Sequence, residues 1–466
     1  MRALRFAPLV LALLVPGCAI KQTPDAKALA ADAMPAIAVP PAWAAPGSVP
    51  GAVSPGWLAT LADPRLDALV SEALANNFDL RVAATRVERA AAYATQAGST
   101  LYPQVTAIAK GGGKLSGDSS GLSGGGLYAN WELDLWGRVR NQAAAGSAQY
   151  ESVQRDAEFA RQSIAALVAK SWFLATEARR QRAIAQDMVD ASMKLSSLAA
   201  DRARVGRGDE YDMRVADAAT QGYRDMVLQL DLSEQQAKRA LETLLGRYPA
   251  AAFDSPAEFP AFPGPVPAGL PSELLERRLD VSAAERRVAS AFYMTGEAEA
   301  ARLPRVSLTA SGSSISSELF VLQDRSNPVW SAGAGIVAPL FVGGALKAQV
   351  EIRTAEQKAA VAEYGRIGAQ AFSEVEGALS AGFNLAERVK VLEAQSVESD
   401  RALELAQVRY RVGSADLRAV QQQVIAASAA RSALTRARSE RLVQRVNLHL
   451  ALGGGFGAPV VAASKN

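Results

Sequence analysis

Few residues in this chain have the chemistry for catalysis. His449 is the one histidine and Cys18 the one cysteine among 466 residues. A zinc site built from several His and Cys and an internal disulfide are therefore excluded by count, and a Cys/His nucleophile pair falls away because the expected lipidation of Cys18, argued below, leaves no free thiol. His449 stands between Leu448 and Leu450 near a helix end, a setting for a packed or solvated ring more than for a proton shuttle. Glu132 and Asp134 could serve as acid and base, but they fall on one polar face of an alternating segment, among many other charges. Gly111-Gly112-Gly113 and Gly124-Gly125-Gly126 lack the Lys-Ser/Thr that a phosphate loop needs. The expectation is a protein that is not an enzyme and carries no cofactor and no metal.

Composition narrows the classes further. With 49% hydrophobic and 21% charged residues and a formal charge of +3, the chain can bury a large core. Lys and Arg are interleaved with Asp and Glu, so no nucleic-acid partner is expected. Arg2 and Arg5 precede the apolar run Phe6 to Val15, followed by Val15-Pro16-Gly17-Cys18, the order of a secretory signal. It resembles a bacterial lipoprotein signal: residues 1–17 would be removed, Cys18 lipidated, and Ala19 after it fits sorting to the outer membrane. The alternative is an ordinary signal with a chance cysteine. No later segment gives 18 continuous apolar residues, so no transmembrane helix is expected in the mature chain.

The elements that must position everything else are strands and long helices. In NWELDLWGRVR, Asn130 to Arg140, apolar Leu127, Ala129, Trp131, Leu133 and Leu135 alternate with polar neighbours, a strand with one oily face. The strand reads as passing straight into a helix at Arg138. The chain then repeats itself. RARVGRGDEYD around Gly206 answers RYRVGSADLRA around Gly413 at an offset of 207, and LLG at Leu244 to Gly246 answers ALG at Ala451 to Gly453. The predicted plan is a tether over 18–55, a first repeat over 56–248, a Pro-rich linker over 249–271, a second repeat over 272–455 and a tail over 456–466.

Each repeat supplies two strand candidates, Gln104 to Lys114 and Gly124 to Leu135, then Arg305 to Ser316 and Trp330 to Phe341. About ten residues with one apolar face suit a tilted strand crossing an outer membrane. Four strands cannot close a barrel, so other copies must complete it; three copies give twelve strands and two give eight. The remainder is helical. Leu385, Val389, Leu392, Ser396, Ser399, Leu403, Ala406 and Tyr410 step by 4 and 3, as do Ile184, Met188, Ala191, Leu195 and Leu198, which is coiled-coil spacing with small residues at many seam positions. Gly206 and Gly413 mark the reversals into return helices.

Taken together, NWELDLWGRVR, LPSELLERRLDVSAAERRV, ARLPRVSLTAS, PLFVGGALKAQV, AFSEVEGAL, RYRVGS and ALGGGF resemble the TolC family of outer-membrane efflux channels, in its lipoprotein branch. The resemblance implies an α+β membrane protein: a trimeric, twelve-stranded outer-membrane β-barrel, four strands per protomer, continuous with a long periplasmic α-helical barrel. It implies a passive exit duct for small toxic compounds or drugs. The implied partners are two sister chains, a periplasmic adaptor (membrane fusion protein), an inner-membrane efflux transporter of the RND type, and outer-membrane lipid. Two rival readings are a type I secretion channel for proteins and a periplasmic coiled-coil scaffold.

The resemblance also nominates residues. The tips Arg204-Val205-Gly206 and Arg411-Val412-Gly413 match the family's adaptor-docking turns. Carboxylates beyond the turn glycine ring the family's closed aperture. Here Ala419 and Gln422 stand where the second repeat would carry them, so the expected latch is Asp212 near Arg411 or Arg418, with Gln421 and Gln422 replacing acids. Asp209 and Glu210 join this aperture set; the alternative is that the three acids serve only as helix cap and dipole partners. Leu279 replaces the proline of the family's RRPD.

Overall fold

The computed structural model describes residues 20–53, 55–110, 123–206, 208–316 and 328–456. Cys18, the leader before it, and Gly111 to Lys114 lie outside the described residues. In chain order the elements are α1 (Ala26–Ala33), α2 (Pro64–Asn76), α3 (Phe78–Ser99), β1 (Gln104–Lys110), β2 (Ser123–Leu133), α4 (Arg138–Arg204), α5 (Glu210–Leu244), α6 (Leu274–Arg277), α7 (Leu279–Ala300), β3 (Arg305–Ser316), β4 (Pro328–Val337), α8 (Ala345–Val412) and α9 (Leu417–Ala451). The duplication is plain in their lengths: α4 and α8 run for 67 and 68 residues, α5 and α9 for 35 each. No helix among the described residues is long and apolar enough to cross a membrane.

The chain divides into two compact units that each draw on both repeats. One takes residues up to Ile37, Ala84–Asp156 and Asp280–Gly368. Its sheet is antiparallel in the order β1-β2-β3-β4, with Ala129 opposite Ala310 and Thr309 opposite Gly333. Gly312 faces Trp330 across the β3–β4 pair, and a Cβ at Gly312 would stand 2.6 Å from the indole, so glycine makes room for the ring. Val105, Leu127, Trp330 and Ile336 are all exposed, Trp330 by 80%, and β1 and β4 each pair along one edge only.

The strand ends differ from those expected. β4 spans Pro328–Val337 and stops short of Leu340 and Phe341, because Pro339 has no N–H to give to a ladder. β2 ends at Leu133 and does not run directly into α4. Asp134 to Gly137 forms a corner in which the Asp134 carboxylate accepts the N–H groups of Val139 (3.0 Å) and Arg140 (2.9 Å), capping α4. Arg138 turns back to grip Glu132 through two hydrogen bonds of 2.9 and 2.8 Å. These two carboxylates are thus committed to the strand-to-helix corner. Within the segment expected as a tether, α1 forms two turns capped by Asp25.

The other unit takes Ala38–Ala83, Ala157–Leu279 and Ala369–Asn466. Its main core joins Trp57, Leu61, Leu66 and Val70 to Val168, Trp172 and Phe173 of α4, Leu241 of α5 and Leu442 and Val446 of α9. Trp172 is 2% exposed, donates its indole N–H to Asp63 at 2.8 Å and stacks on Phe253 of the Pro-rich linker at 5.9 Å. Trp172→Ala is expected to cost about 3–5 kcal/mol of stability, visible as a lower melting temperature of the detergent-purified protein. The linker is strapped down elsewhere too: the Glu242 carboxylate accepts the N–H groups of Ala251 and Ala252, and Arg179 and Arg180 pair with Asp254 and Glu258.

Candidate functional site

The two helix reversals lie in the second unit. Each is set by local sequence. Gly206 has φ +70° and Gly413 φ +88°, and an added Cβ would meet nothing within 4 Å at either. Glycine is there for the left-handed backbone, not for close packing. Ser414 N–H reaches back to the Arg409 carbonyl (2.9 Å) and Gly413 N–H to the Tyr410 carbonyl (3.1 Å), which closes the end of α8. The flanking Val205 and Val412 are 69% and 72% exposed. Two apolar side chains thus stand in solvent beside bare backbone.

Below the tips, Met188, Leu195, Ala216, Tyr410, Leu417, Val420 and Val424 form a compact core. The heptad positions read from the sequence face inward: Met188, Leu195, Val389, Ser396 and Tyr410 are buried. Arg202 lies over the Tyr410 ring at 4.5 Å and donates to the Tyr410 carbonyl at 2.8 Å.

The nominated aperture residues fall into separate roles. Asp209 caps α5, accepting the Asp212 N–H at 2.9 Å. Glu210 is exposed and pairs with Arg214 one turn on, at 2.9 Å. Arg204 pairs with Asp201 at 3.1 Å. Arg411 is exposed, Gln422 is exposed, and Gln421 is half-buried with its amide nitrogen unpartnered among the described residues. Arg418 donates to the Tyr211 hydroxyl at 2.7 Å and lies over its ring at 5.6 Å. That hydrogen bond, with smaller help from Asp416 and Asp212, raises the Arg418 pKa. In the single chain, then, Arg418 engages Tyr211 and bears on Asp212 only through its charge.

Two residues, Asp416 and Tyr211, are missed by the sequence reading, and a third, Tyr410, is read only as a seam position. Asp416 caps α9 by accepting the Ala419 N–H at 2.8 Å, and it stands 207 residues after Asp209, so the repeat offset would have found it. Tyr211 and Tyr410 carry the two arginine contacts, which no local pattern announces.

A family model described as outer membrane efflux protein matches residues 69–247 and 270–454. The chain belongs to the outer membrane efflux protein family. Among its relatives, the pyoverdine export outer membrane protein OpmQ of Pseudomonas putida is 30% identical, over 91% of this chain and 93% of that one. Outer membrane protein OprJ of Pseudomonas aeruginosa is 31% identical, over 86% of each chain. The solved structure of the open-state MtrE outer membrane channel of Neisseria gonorrhoeae superposes with a TM-score of 0.80 at 30% identity, covering 90% of this chain and 98% of that one. The TolC-like resemblance and the efflux role expected from the sequence motifs both hold for this family member.

Proposed function

We propose that three copies of this chain form a passive exit duct, and that no copy performs catalysis. The observation that carries this reading is the four-stranded sheet, with both edges unpaired among the described residues and apolar side chains such as Trp330 exposed. Open edges in lipid leave backbone groups unsatisfied, and closure by sister sheets removes them. The twelve-stranded barrel then sits in the outer membrane, Cys18 carries an acyl anchor, and the helices extend into the periplasm. Cargo arrives from an RND-type inner-membrane transporter through a membrane fusion protein docked on the tips. The names of relatives, a pyoverdine exporter and a cation efflux protein, support small-molecule cargo. Cells lacking the gene are expected to accumulate ethidium several-fold faster than complemented cells; equal accumulation would contradict the reading.

The aperture is held, in this reading, by Arg418 on Tyr211, by Asp212 copies near the threefold axis whose mutual repulsion is offset by Arg411 or Arg418, and by the amides of Gln421 and Gln422. Tyr211→Phe removes the acceptor and leaves the ring. Its closed-state leak, measured on single channels, is expected to rise about five-fold, the upper end for an exposed charged contact. A leak that rises only in Asp212→Ala would place the latch on the carboxylate alone.

A further inference from the structure

The second unit contains a cavity of about 480 Å³ between the Pro-rich linker, α8 and α9. Its apolar wall includes Phe262, Leu379, Phe383 and Leu448; its polar wall is Gln444 with Arg441 and Arg445, the two arginines one turn apart on α9. Arg445 is only 8% exposed. One of its terminal nitrogens donates to the Gly264 carbonyl at 2.6 Å, while its Nε has no partner among the described residues. Arg441 lies over the Phe262 ring at 3.5 Å, and its Nε is likewise buried and unpartnered.

Among the described residues neither guanidinium is paired with a carboxylate. Glu393, the acid that bears on Arg441, is already paired with Arg438 at 2.8 Å. Burial lowers the pKa of both arginines, and the Arg441 charge lowers that of Arg445 further. Arginine does not give up its proton in proteins, so two cations in a half-closed apolar cavity carry a desolvation cost that the Gly264 carbonyl and the Phe262 ring offset in part and an anion would offset further. A carboxylate can accept from two guanidinium nitrogens at once, and the volume is that of a small-ligand pocket.

From this juxtaposition we infer that the cavity binds a small amphiphilic anion, one carboxylate on an apolar body of about ten heavy atoms. The head lies on Arg441 and Arg445 and the body lies against Phe262, Leu379, Phe383 and Leu448. Such an acid has two sources, a lipid-derived acyl chain or an aromatic acid of the kind a pump handles. The site is distinct from the tips and from the barrel strands.

The test uses the full-length protein in nanodiscs, titrated calorimetrically with octanoate and with 1-naphthoate, with empty nanodiscs subtracted. At least one acid is expected to bind saturably, one per protomer, and at least ten-fold tighter than its neutral amide; which acid binds identifies the source. Arg441→Gln is expected to weaken binding at least ten-fold. Gly382→Phe fills the cavity from α8, where an added Cβ meets nothing within 4 Å, and is expected to abolish binding with the melting temperature unchanged. Equal affinity for acid and amide, wild-type binding in both variants, or no saturable binding because a neighbouring copy already fills the cavity, would each overturn the inference.

Discussion

Replacing Val205 and Val412 together by aspartate is expected to reduce efflux to the level of cells lacking the gene, while the assembled channel remains intact. Both side chains are more than two-thirds exposed, and exposed substitutions ordinarily shift stability by no more than about 0.5 kcal/mol. The folded protein should therefore accumulate normally and melt as before. The partner's contact is another matter. In a trimer the double substitution sets six carboxylates where six apolar groups would be covered by adaptor helices, and each buried, unpaired charge costs several kcal/mol. Arg204 is already paired with Asp201, so Arg411 is the neighbouring cation that could offset part of this cost. Ethidium accumulation in cells reads the loss, and single-channel recordings without adaptor serve as the control, since conductance of the isolated duct should not change. Wild-type efflux in the double variant would remove docking from these tips.

The second large effect is on stability against pH, and it comes from His449. The imidazole is 4% exposed, stacks on Trp57 at 5.8 Å with an 18° interplanar angle, and neither ring nitrogen has a hydrogen-bond partner among the described residues. Burial first, and the Arg445 charge second, push its pKa from 6.5 down to about 3. The folded protein therefore holds a neutral ring through the range in which the unfolded chain takes up a proton. Stability from this group is complete above about pH 6.5 and is lost as pH falls towards 3. The slope is about 1.4 kcal/mol per pH unit, so roughly 2–3 kcal/mol disappears by pH 4.5. His449→Phe keeps an aromatic ring against Trp57 and removes the titration. Urea midpoints between pH 7.5 and 4.5 are expected to fall more steeply in the wild type than in the variant. Parallel slopes would assign acid sensitivity to other groups.

How much of this was legible beforehand depends on range along the chain. The two-residue alternation in Leu127 to Leu133 and the 4-and-3 stepping from Leu385 to Tyr410 are local, and both elements form where they were read. The repeat offset carried the plan of one half onto the other, including the paired glycine turns. What failed was local detail governed by side chains: the Asp134 corner inserts four residues between strand and helix, and Pro339 shortens β4. What escaped entirely was long-range. The contact of Tyr211 with Arg418 spans 207 residues, the stack of Trp57 on His449 joins two ends of the sequence, and the cavity under the linker needs three segments to exist. The sequence leaves the lone histidine as either packed or solvated; burial decides for packed, and nothing in its neighbours foretells that it lacks a hydrogen-bond partner among the described residues.

The central claim is that one chain supplies only a sector of a wall, so its sheet edges must be sealed by sister chains. The most direct measurement is the stoichiometry of the detergent-purified protein by native mass spectrometry, with the strand number of the assembled barrel counted by electron cryomicroscopy. Three protomers and a closed ring of twelve strands are expected. A monodisperse monomer that stays soluble without detergent, its four strands unpaired at both edges, would contradict it.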